Sequence, residues 1–313
     1  MQEVRLPLAA VIGLGSMGLG MAGSLLRAGH DVAGYDPDPA ALARFVDLGG
    51  RPAPNAAEAA RHADTTIVVV VNAAQTEAVL FGGGPDGGET HDGAVATMHQ
   101  GGVVLSSATM SPADARRFGE RCNAAGILYL DAPMSGGTTR AASGDLTIMA
   151  SGSAQAFDRA APVLQVIAKT VYTLGDTPGT GAAFKIVNQL LAGIHIAAAC
   201  EAITFAKKLG LDLEKVFEVI TASAGNSWMF ENRIPHVLAG DYRPASAVDI
   251  FAKDLGIVAD IGRAAKFPTP MAANALQLFL MTSAAGMGRD DDSSVARLIA
   301  QITGLDLPKM TPS

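Results

Sequence analysis

Hydrophobic positions in the first half of the chain follow two different periods. Short apolar runs that are typical of buried strands alternate with stretches in which apolar residues recur at helical spacing. The predicted strands cover residues 8–14, 31–36, 65–71, 103–107 and 127–131, with further strands at 146–150 and 171–174. The predicted helices cover residues 19–28, 40–48 and 56–62, and another begins near Ser111. This order predicts an α/β fold with a doubly wound parallel sheet, in which ligands bind at the carboxyl ends of the strands.

The second half of the chain is helical in its spacing. One long helix is predicted from Pro178 to Leu209, because glycines open it, two lysines lie in its last turn and Gly210 follows. Residues 182–205 are almost all apolar, so we expect this helix to be buried on most of its circumference. We therefore expect two domains: residues 1–176 with the sheet, and residues 177–313 as an all-α domain, joined by the long helix.

A glycine-rich turn follows the first predicted strand and opens the first predicted helix. Its residues are Gly13, Leu14, Gly15, Ser16, Met17 and Gly18. In this spacing the first glycine permits a tight turn, the second lets the backbone approach a pyrophosphate, and the third allows close contact between helix and strand. The N–H groups at the start of the helix bind the anion. This context predicts a dinucleotide-binding Rossmann domain.

The second predicted strand ends in Asp36, 18 residues after Gly18. A carboxylate at this distance binds the ribose hydroxyls of the adenosine half, and its charge repels a 2′-phosphate. Asp36 therefore favours NAD over NADP. The alternative interpretation is that Asp36 only forms a turn with Pro37.

Residues Ser135, Gly136 and Gly137 form the first candidate for contact with a substrate. They follow a strand and a proline, and they offer a hydroxyl and backbone N–H groups with no side chains in the way. Such a loop suits a carboxylate. An ordinary glycine turn is the alternative interpretation.

Residues Lys185, Asn188 and Gln189 form the second candidate. Their spacing places all three on one face of the long helix. A lysine among apolar neighbours loses solvation for its charge, which favours the neutral form that accepts a proton. The alternative is a lysine that extends from a core helix to the surface.

Composition and charge exclude several classes of function. The chain has 313 residues, is 49% hydrophobic and carries a formal net charge of −7 without a basic stripe, which argues against nucleic acid. The longest apolar run, 190–200, is too short to span a bilayer. His91 and His99 lack a metal-ligand spacing, so we expect a surface loop and no metal site. Cys122 and Cys200 lack metal or redox spacing, which indicates a reducing compartment and a cytoplasmic protein.

Four motifs together resemble the β-hydroxyacid dehydrogenases, the family that includes 3-hydroxyisobutyrate dehydrogenase and tartronate semialdehyde reductase. The motifs are GLGSMG, DAPMSGG followed by GDLT, GTGAAFKIVNQ, and FAKDL at 251–255. They cover the whole chain in the family's order. The chain is more closely similar to the L-threonate dehydrogenase branch of that family, in the stretches 70–75, 188–198, 224–233, 246–255 and 291–293.

The resemblance implies a Rossmann domain, an all-helical domain around the long helix, and an active site in the cleft. It implies that the glycine turn and Asp36 bind NAD, that Val71, Asn72 and Thr109 line the nicotinamide side, and that Lys253 reaches back to the cofactor. It also implies that Ser135, Gly136 and Gly137 hold the substrate carboxylate and that Lys185 is the catalytic lysine. Relatives differ in whether the position of Asn188 or that of Gln189 contacts the substrate, so both remain candidates.

The expected activity is NAD-dependent oxidation of the hydroxyl beside a carboxylate, with L-threonate converted to 2-dehydro-L-erythronate (2-oxo-tetronate). Alternatives are 3-hydroxyisobutyrate or tartronate semialdehyde as the substrate, or an NAD-binding interaction protein without catalysis. Polar residues Asn226, Ser227 and Asn232 are candidate groups for binding the hydroxyls of a polyol acid. Asp249 and Lys253 have the spacing of a helical salt bridge. Large apolar helices also indicate a homodimer or homotetramer.

Overall fold

The computed structural model describes residues 8–83 and 93–308. The chain divides into two compact units, Met1–Lys185 and Ile186–Ser313, and the division falls inside the long helix. His91, one of the two histidines of the predicted surface loop, lies outside the described residues.

A parallel sheet forms the centre of the first unit. Its six strands have the order β3-β2-β1-β4-β5-β6, and every described pair is parallel. The strands are β1 Ala9–Ile12, β2 Val32–Tyr35, β3 Arg51–Pro52, β4 Thr65–Val68, β5 Val103–Ser106 and β6 Leu128–Asp131. The helices between them are α1 Ser16–Arg27, α2 Pro39–Asp47, α3 Ala56–Ala60, α4 Ala73–Phe81, α5 Ala94–Thr97 and α6 Pro112–Ala124. This confirms the predicted doubly wound fold.

Side chains on the two faces of this sheet enter two different hydrophobic cores. In β4, Ile67 lies in one core and Val68 in the other, and in β5 Leu105 and Val104 divide in the same way. Since strand side chains alternate between faces, a sheet that is buried on both sides needs an apolar residue at every position. Ile67 and Val68 of β4 and all but the last residue of β5 meet this need, whereas Thr65 and Thr66 at the start of β4 are buried threonines.

A smaller sheet follows at the end of the first unit. It consists of β7 Met134–Ser135, β8 Leu146–Ala150 and β9 Ala168–Thr173, with β7 antiparallel and β9 parallel to β8. Two helices that the spacing does not predict, α7 Gly137–Ser143 and α8 Ala154–Ile167, connect its strands. A glycine opens α7, and Pro162 interrupts the helical pattern of α8.

The second unit is all-α, as predicted. Helix α9 (Thr180–Lys208) enters it from the first unit. The helices that follow are α10 Leu213–Thr221, α11 Trp228–Ala239, α12 Val248–Ala264, α13 Pro270–Thr282 and α14 Val295–Thr303, with a π-helical turn at Ser283–Met287 and a 3₁₀ turn at Asp292–Ser294. Their core contains Ile196, Cys200 and Ile203 of α9, and the stacked rings of Phe251 and Phe279, whose centroids are 5.4 Å apart.

Helix α9 is less buried than its composition predicts. Val187 is 61% exposed and Phe205 62% exposed, and Leu191 and Leu209 are exposed as well. The second unit therefore covers only one side of a helix that is apolar on all sides. Among the described helices, α9 is long and apolar enough to cross a bilayer, but half of its most apolar window is buried, as in the core helix of a globular protein.

A buried polar cluster ties α11 to the segment that precedes α14. The guanidinium of Arg233 donates to both carboxylate oxygens of Asp292, at 2.6 and 3.0 Å. Both side chains are buried. Beside this pair, Nδ1 of His236 lies 3.1 Å from Oδ1 of Asp291. Asp291 also accepts from the Ser293 hydroxyl and the Ala245 N–H. A buried charge is tolerated because it is paired in this way.

We predict that His236→Gln lowers the free energy of unfolding more at acid than at alkaline pH. The hydrogen bond to Asp291 raises the pKa of His236 above its ordinary value, although burial opposes this. A raised histidine pKa stabilises the folded state fully below the ordinary value of about 6.5, and this stabilisation is lost as the pH rises through the raised value. Burial raises the pKa of Asp291, but the hydrogen bonds from His236 and Ser293 outweigh burial and leave it lowered, so the pair persists in mild acid.

The measurement is urea unfolding at about pH 6 and about pH 9, followed by fluorescence of Trp228, the only tryptophan in the chain. The control is His99→Gln in the first unit, which removes a half-buried imidazole whose Nε2 lies 3.4 Å from Asp64 Oδ1, a longer and more exposed contact than that of His236. An equal loss at both pH values contradicts the prediction.

Candidate active site

The glycine turn between β1 and α1 has the shape that a pyrophosphate needs. Gly13 has φ +92°, and a Cβ on it would lie 2.4 Å from the Val69 carbonyl oxygen. A Cβ on Gly18 would lie 1.8 Å from the Gly13 carbonyl oxygen, whereas a Cβ on Gly15 would meet nothing within 4 Å. Two of the glycines are therefore required by packing, and the third faces open space. Gly15 is the N-cap of α1 and provides no side-chain cap, so the N–H groups there suit an anion.

Asp36 lies directly after β2 and holds this turn. Its Oδ2 accepts from the Leu14 N–H at 2.7 Å, and its Oδ1 accepts from the Asp38 N–H at 2.8 Å. The carboxylate therefore closes the Asp-Pro turn, which was the alternative interpretation, and it also contacts the glycine loop. Binding of the ribose hydroxyls by Asp36 stays a prediction. A carboxylate has about four lone-pair sites, which leaves room for ribose hydroxyls.

The residues predicted to line the nicotinamide side follow β4 and β5. Val71 is exposed, and its N–H donates to Gln75 Oε1 at 2.9 Å. Asn72 caps α4 by accepting from the Gln75 N–H at 2.8 Å. Thr109 is half-buried between β5 and α6. These residues lie at the carboxyl edge of the sheet, next to β1 and β4, where the strand order reverses and where such sheets bind their ligands.

The predicted β4 continues to residue 71, but the strand ends at Val68. Past that point the chain leaves the sheet beside the glycine turn, where the Val69 carbonyl contacts Gly13. The difference therefore places Val69 to Asn72 at the carboxyl edge of the sheet, beside the glycine turn.

The predicted carboxylate loop combines a short strand with a glycine pair. Ser135 ends β7 and is half-buried, Gly136 has φ +140° and Gly137 has φ +73°. A side chain on Gly137 would meet nothing within 4 Å, so the backbone there is accessible. These positive φ values favour glycine and explain why two occur in succession.

Lys185 lies next to this loop. Its side chain is buried, with 9% exposure, and Nζ donates to the Met134 carbonyl oxygen at 2.7 Å. The lysine therefore does not extend to the surface, which was the alternative interpretation. The structure brings Lys185 and the loop 135–137 together, although they are about fifty residues apart in the sequence.

In the second unit, four polar side chains form one continuous chain of contacts. The Asn188 amide donates to Gln189 Oε1 at 2.9 Å, and Gln189 Nε2 donates to Asp254 Oδ2 at 2.5 Å. Nζ of Lys253 lies 2.9 Å from the other oxygen of Asp254. Asp254 is only 1% exposed, so its charge depends on these partners. The Asp254 carboxylate thus joins two predicted site residues, Gln189 and Lys253, and Asn188 is linked to it through Gln189.

Sequence reasoning missed the role of Asp254. The residue stands inside the FAKDL motif, but nothing in its spacing indicates a contact with the long helix. The predicted Asp249–Lys253 salt bridge is wrong: Asp249 accepts from the Ser283 hydroxyl at 2.6 Å, and Lys253 pairs with Asp254. Lys253 pairs with Asp254 because the Asp254 carboxylate is buried, so few water molecules compete with the ammonium group for it.

The three polar residues expected to bind substrate hydroxyls have local partners. Ser227 is the N-cap of α11 and accepts from the Phe230 N–H. Asn226 donates to the Thr221 carbonyl and to Glu231, and Asn232 accepts from Arg233. These contacts account for a stable helix start, so the three residues do not by themselves indicate a polyol pocket.

Two protein families match the chain. Residues 9–175 match the NAD binding domain of 6-phosphogluconate dehydrogenase. Residues 179–299 match the family described as NAD-binding of NADP-dependent 3-hydroxyisobutyrate dehydrogenase. Together they cover both units of the structure.

Individual relatives match over nearly their full length. The chain is 52% identical to L-threonate dehydrogenase of Cupriavidus necator over 298 residues, which is 95% of this chain and 97% of that protein. It is 47% identical to L-threonate dehydrogenase of Escherichia coli K12, over 94% of this chain and 95% of that protein. The crystal structure of 3-hydroxyisobutyrate dehydrogenase from Salmonella typhimurium has a TM-score of 0.86 and 48% identity, and the match covers 93% of this chain and 99% of that one.

We predict that two glycines of the same turn respond differently to alanine. Gly15→Ala should leave the thermal midpoint unchanged, because the new Cβ meets open space. It should weaken NADH binding, because we expect the pyrophosphate to approach the backbone in that space. Gly18→Ala should lower the thermal midpoint, because its Cβ would overlap the Gly13 carbonyl. Thermal melts and NADH fluorescence titration measure both effects. Unchanged NADH affinity in Gly15→Ala contradicts the assignment.

Proposed function

The chain belongs to the β-hydroxyacid dehydrogenases, NAD-dependent oxidoreductases that act on the CH–OH group of small hydroxy acids, and from this we propose that it oxidises L-threonate to 2-dehydro-L-erythronate. The observation that carries the proposal is the position of Lys185. Its buried Nζ contacts the carbonyl of Met134, the residue that precedes the loop Ser135–Gly137. A proton acceptor and a carboxylate-binding loop are thus adjacent, as oxidation of a hydroxyl beside a carboxylate requires.

In this mechanism the substrate carboxylate binds to the Ser135 hydroxyl and to the N–H groups of Gly136 and Gly137. Neutral Lys185 takes the hydroxyl proton at Nζ while the C–H bond beside it breaks and the carbonyl forms. NAD, when bound, supplies the hydride acceptor. In the reverse direction, Lys185 as an ammonium polarises the carbonyl oxygen and protonates it.

Of the two amides, we assign Asn188 to the substrate and Gln189 to positioning. A carboxylate only accepts hydrogen bonds, so the contact with Asp254 fixes Nε2 of Gln189 on that side and leaves Oε1 to accept from Asn188. Both polar atoms of Gln189 are therefore engaged. Asn188 is half-buried and uses one of its donors, one helical turn after Lys185.

NAD is preferred over NADP in this proposal. The half-buried Asp36 carboxylate lies at the end of β2, where the adenosine ribose binds, and its negative charge disfavours a 2′-phosphate there. Lys253, paired with Asp254, is also proposed to contact the cofactor.

We also propose a cytoplasmic homo-oligomer. Helix α9 has exposed apolar residues that recur every four or seven positions, as in the heptad pattern of a coiled coil: Val187, Leu191, Ala198 and Phe205. A groove of 810 Å³, lined mainly by apolar residues of α9, α10 and α11, continues this surface. Apolar surface of this extent on one chain indicates a contact with another chain, so the mass by light scattering should be at least twice that of a single chain.

The proposed cytoplasmic location rests on the cysteines. The free thiols of Cys122 and Cys200 are buried, which suits a reducing compartment.

The experiment that tests the function is NADH formation at 340 nm with a panel of four-carbon aldonates and short 3-hydroxy acids, with NAD and NADP compared. Preference for L-threonate with NAD supports the proposal. Activity only with 3-hydroxyisobutyrate, or only with tartronate semialdehyde in the reverse direction, overturns the substrate while keeping the reaction. NADH binding without turnover of any acid supports a binding protein.

We predict that Lys185→Ala abolishes turnover and leaves NADH affinity near that of the wild type. Loss of a general base typically lowers the rate by about 10²–10⁴-fold, whereas the cofactor contacts of the glycine turn remain. The control is Lys169→Ala, which removes an exposed lysine of β9. The measurements are kcat with L-threonate and the NADH dissociation constant. Turnover within tenfold of the wild type contradicts the role of Lys185.

We predict that the two amides separate in their effects. Asn188→Ala should lower kcat/KM for L-threonate and change the urea midpoint less than Gln189→Ala does, because Asn188 is half-buried and water can replace it beside Gln189 Oε1. Gln189→Ala should lower the free energy of unfolding by about 1–3 kcal/mol, because the buried Asp254 loses its donor. Steady-state kinetics and urea unfolding of both variants distinguish a loss of substrate contact from a loss of stability. A raised KM with unchanged stability in Gln189→Ala reverses the assignment.

A further inference from the structure

A buried carboxylate with no role in the mechanism above lies at the start of α9. Asp131 is the last residue of β6 and is 1% exposed. Its Oδ2 accepts from the N–H groups of Gly179 and Ala182, at 2.9 and 2.8 Å, and from the Ser151 hydroxyl at 3.3 Å. One carboxylate oxygen therefore receives three donors from two other parts of the first unit.

Ser151 extends this arrangement. It forms a backbone bridge with Asp131, with N···O distances of 3.0 and 2.8 Å, and its Oγ accepts from the Gly181 N–H at 2.9 Å. The first N–H groups of a helix have no partners inside the helix, and negative charge is favoured beside them. Here Asp131 and Ser151 together satisfy three such groups.

The helix start lies directly against the strands at this point. A Cβ on Gly181 would lie 2.3 Å from the Met149 carbonyl oxygen and 2.9 Å from that of Asp131. Only glycine allows this approach. The first turn of α9 is therefore fixed both by hydrogen bonds and by contact with the ends of β6 and β8.

Lys185 belongs to the next turn of the same helix, and its Nζ contacts Met134, three residues after Asp131. The same two segments are thus joined twice: by the Asp131 carboxylate to the backbone of α9, and by the Lys185 side chain to the backbone after β6. A shift of the helix start relative to Asp131 would displace Nζ from the loop 135–137.

We propose that Asp131 is a positioning residue for Lys185: with Ser151, its carboxylate fixes the first turn of α9 and so holds Nζ beside the carboxylate-binding loop. The proposal rests on the proposed function in its use of Lys185 as the acid and base, and it adds the group that places that lysine.

Titration of Asp131 gives the proposal a distinctive signature. Burial raises the pKa of Asp131 to about 6, although the hydrogen bonds from Ala182, Gly179 and Ser151 lower it. Ionisable groups near Asp131 or its partners include Tyr129 of β6, Lys185 of α9, and Arg116 of α6 beside Gly179. In reduction of the oxo acid Lys185 acts as an ammonium, so acid does not remove its active form. Burial also raises the pKa of Asp292 in the second unit to about 6, so a fall in kcat below pH 6 in that direction reports Asp131 when the fall disappears in Asp131→Asn.

The experiment compares Asp131→Asn and Ser151→Ala with the control Asp158→Asn, which removes an exposed carboxylate of α8. In Asp131→Asn the amide oxygen can still accept from the helix N–H groups, so folding is retained, but these bonds lose the charge that strengthens them and hold the first turn less firmly. We expect kcat for reduction to fall by roughly tenfold to a hundredfold, with KM and NADH affinity within about twofold, and the acid limb of the pH profile to disappear. Ser151→Ala should lower kcat less and keep the limb.

Three results overturn the proposal. These are an acid limb retained in Asp131→Asn, a raised KM with unchanged kcat, or an unchanged kcat per NADH-binding site in a less stable protein. The last would show a structural role only.

A second measurement does not depend on the substrate. Reductive methylation of Lys185, followed by mass spectrometry, should be faster in Asp131→Asn than in the wild type, whereas Lys169 should react equally in both. If the wild-type protein turns over no acid, the proposed function fails while this measurement still decides the position of Lys185. Equal methylation of Lys185 in both proteins overturns the inference.

Discussion

The N–H groups at the start of α9 impose the constraint on which the proposed site depends. A helix that begins inside a protein must find acceptors for donors that it cannot satisfy itself. This chain meets the requirement with Asp131 and Ser151, which come from the ends of two strands in two different sheets. The catalytic candidate Lys185 follows one turn later. Its position is thus set by strand ends, which are among the most rigid parts of an α/β fold.

Backbone groups also determine the structure at the carboxyl edge of the large sheet, where we expect the cofactor. Gly13 and Gly18 are needed because backbone atoms of neighbouring segments occupy the space of a side chain, whereas Gly15 leaves its space open. The sheet thus brings a helix start, a carboxylate and two loops to one edge. Their chemistry is supplied by backbone N–H groups and a few side chains, while the apolar strands underneath hold them in place.

Sequence reasoning was most successful where the pattern is local. The strands 8–14 and 31–36, the glycine turn and the long helix have unambiguous periods or fixed spacings, and the structure places all of them close to the predicted bounds. Helix α8 was not predicted because Pro162 and several alanines interrupt the helical spacing of its larger apolar residues. Gly136 and Gly137 identified a loop, but that Lys185 contacts the residue before it depends on how the chain folds back, which no local pattern contains.

Long-range polar partners were the least predictable feature. Asp254 joins Gln189 and Lys253, and Asp131 joins α9 to β6, yet each reads in the sequence as one acid among 30 acidic residues. Lys253 was assigned to Asp249 by helical spacing, but burial of Asp254 decided the pairing. The exposed side of α9 was likewise hidden from the sequence, since composition alone does not say how many neighbours a helix has.

Asp36 carries a consequence for how such a protein diverges. The carboxylate that we propose binds the ribose also accepts from the backbone of Leu14 and Asp38, so it shapes the loop proposed to bind the pyrophosphate. A lineage that replaces Asp36 to admit a cofactor with a 2′-phosphate removes the acceptors of the Leu14 and Asp38 N–H groups in the same step. A single substitution at this position therefore weakens the glycine loop as well as the preference for NAD. Further substitutions that restore the loop are needed before NADP can bind tightly.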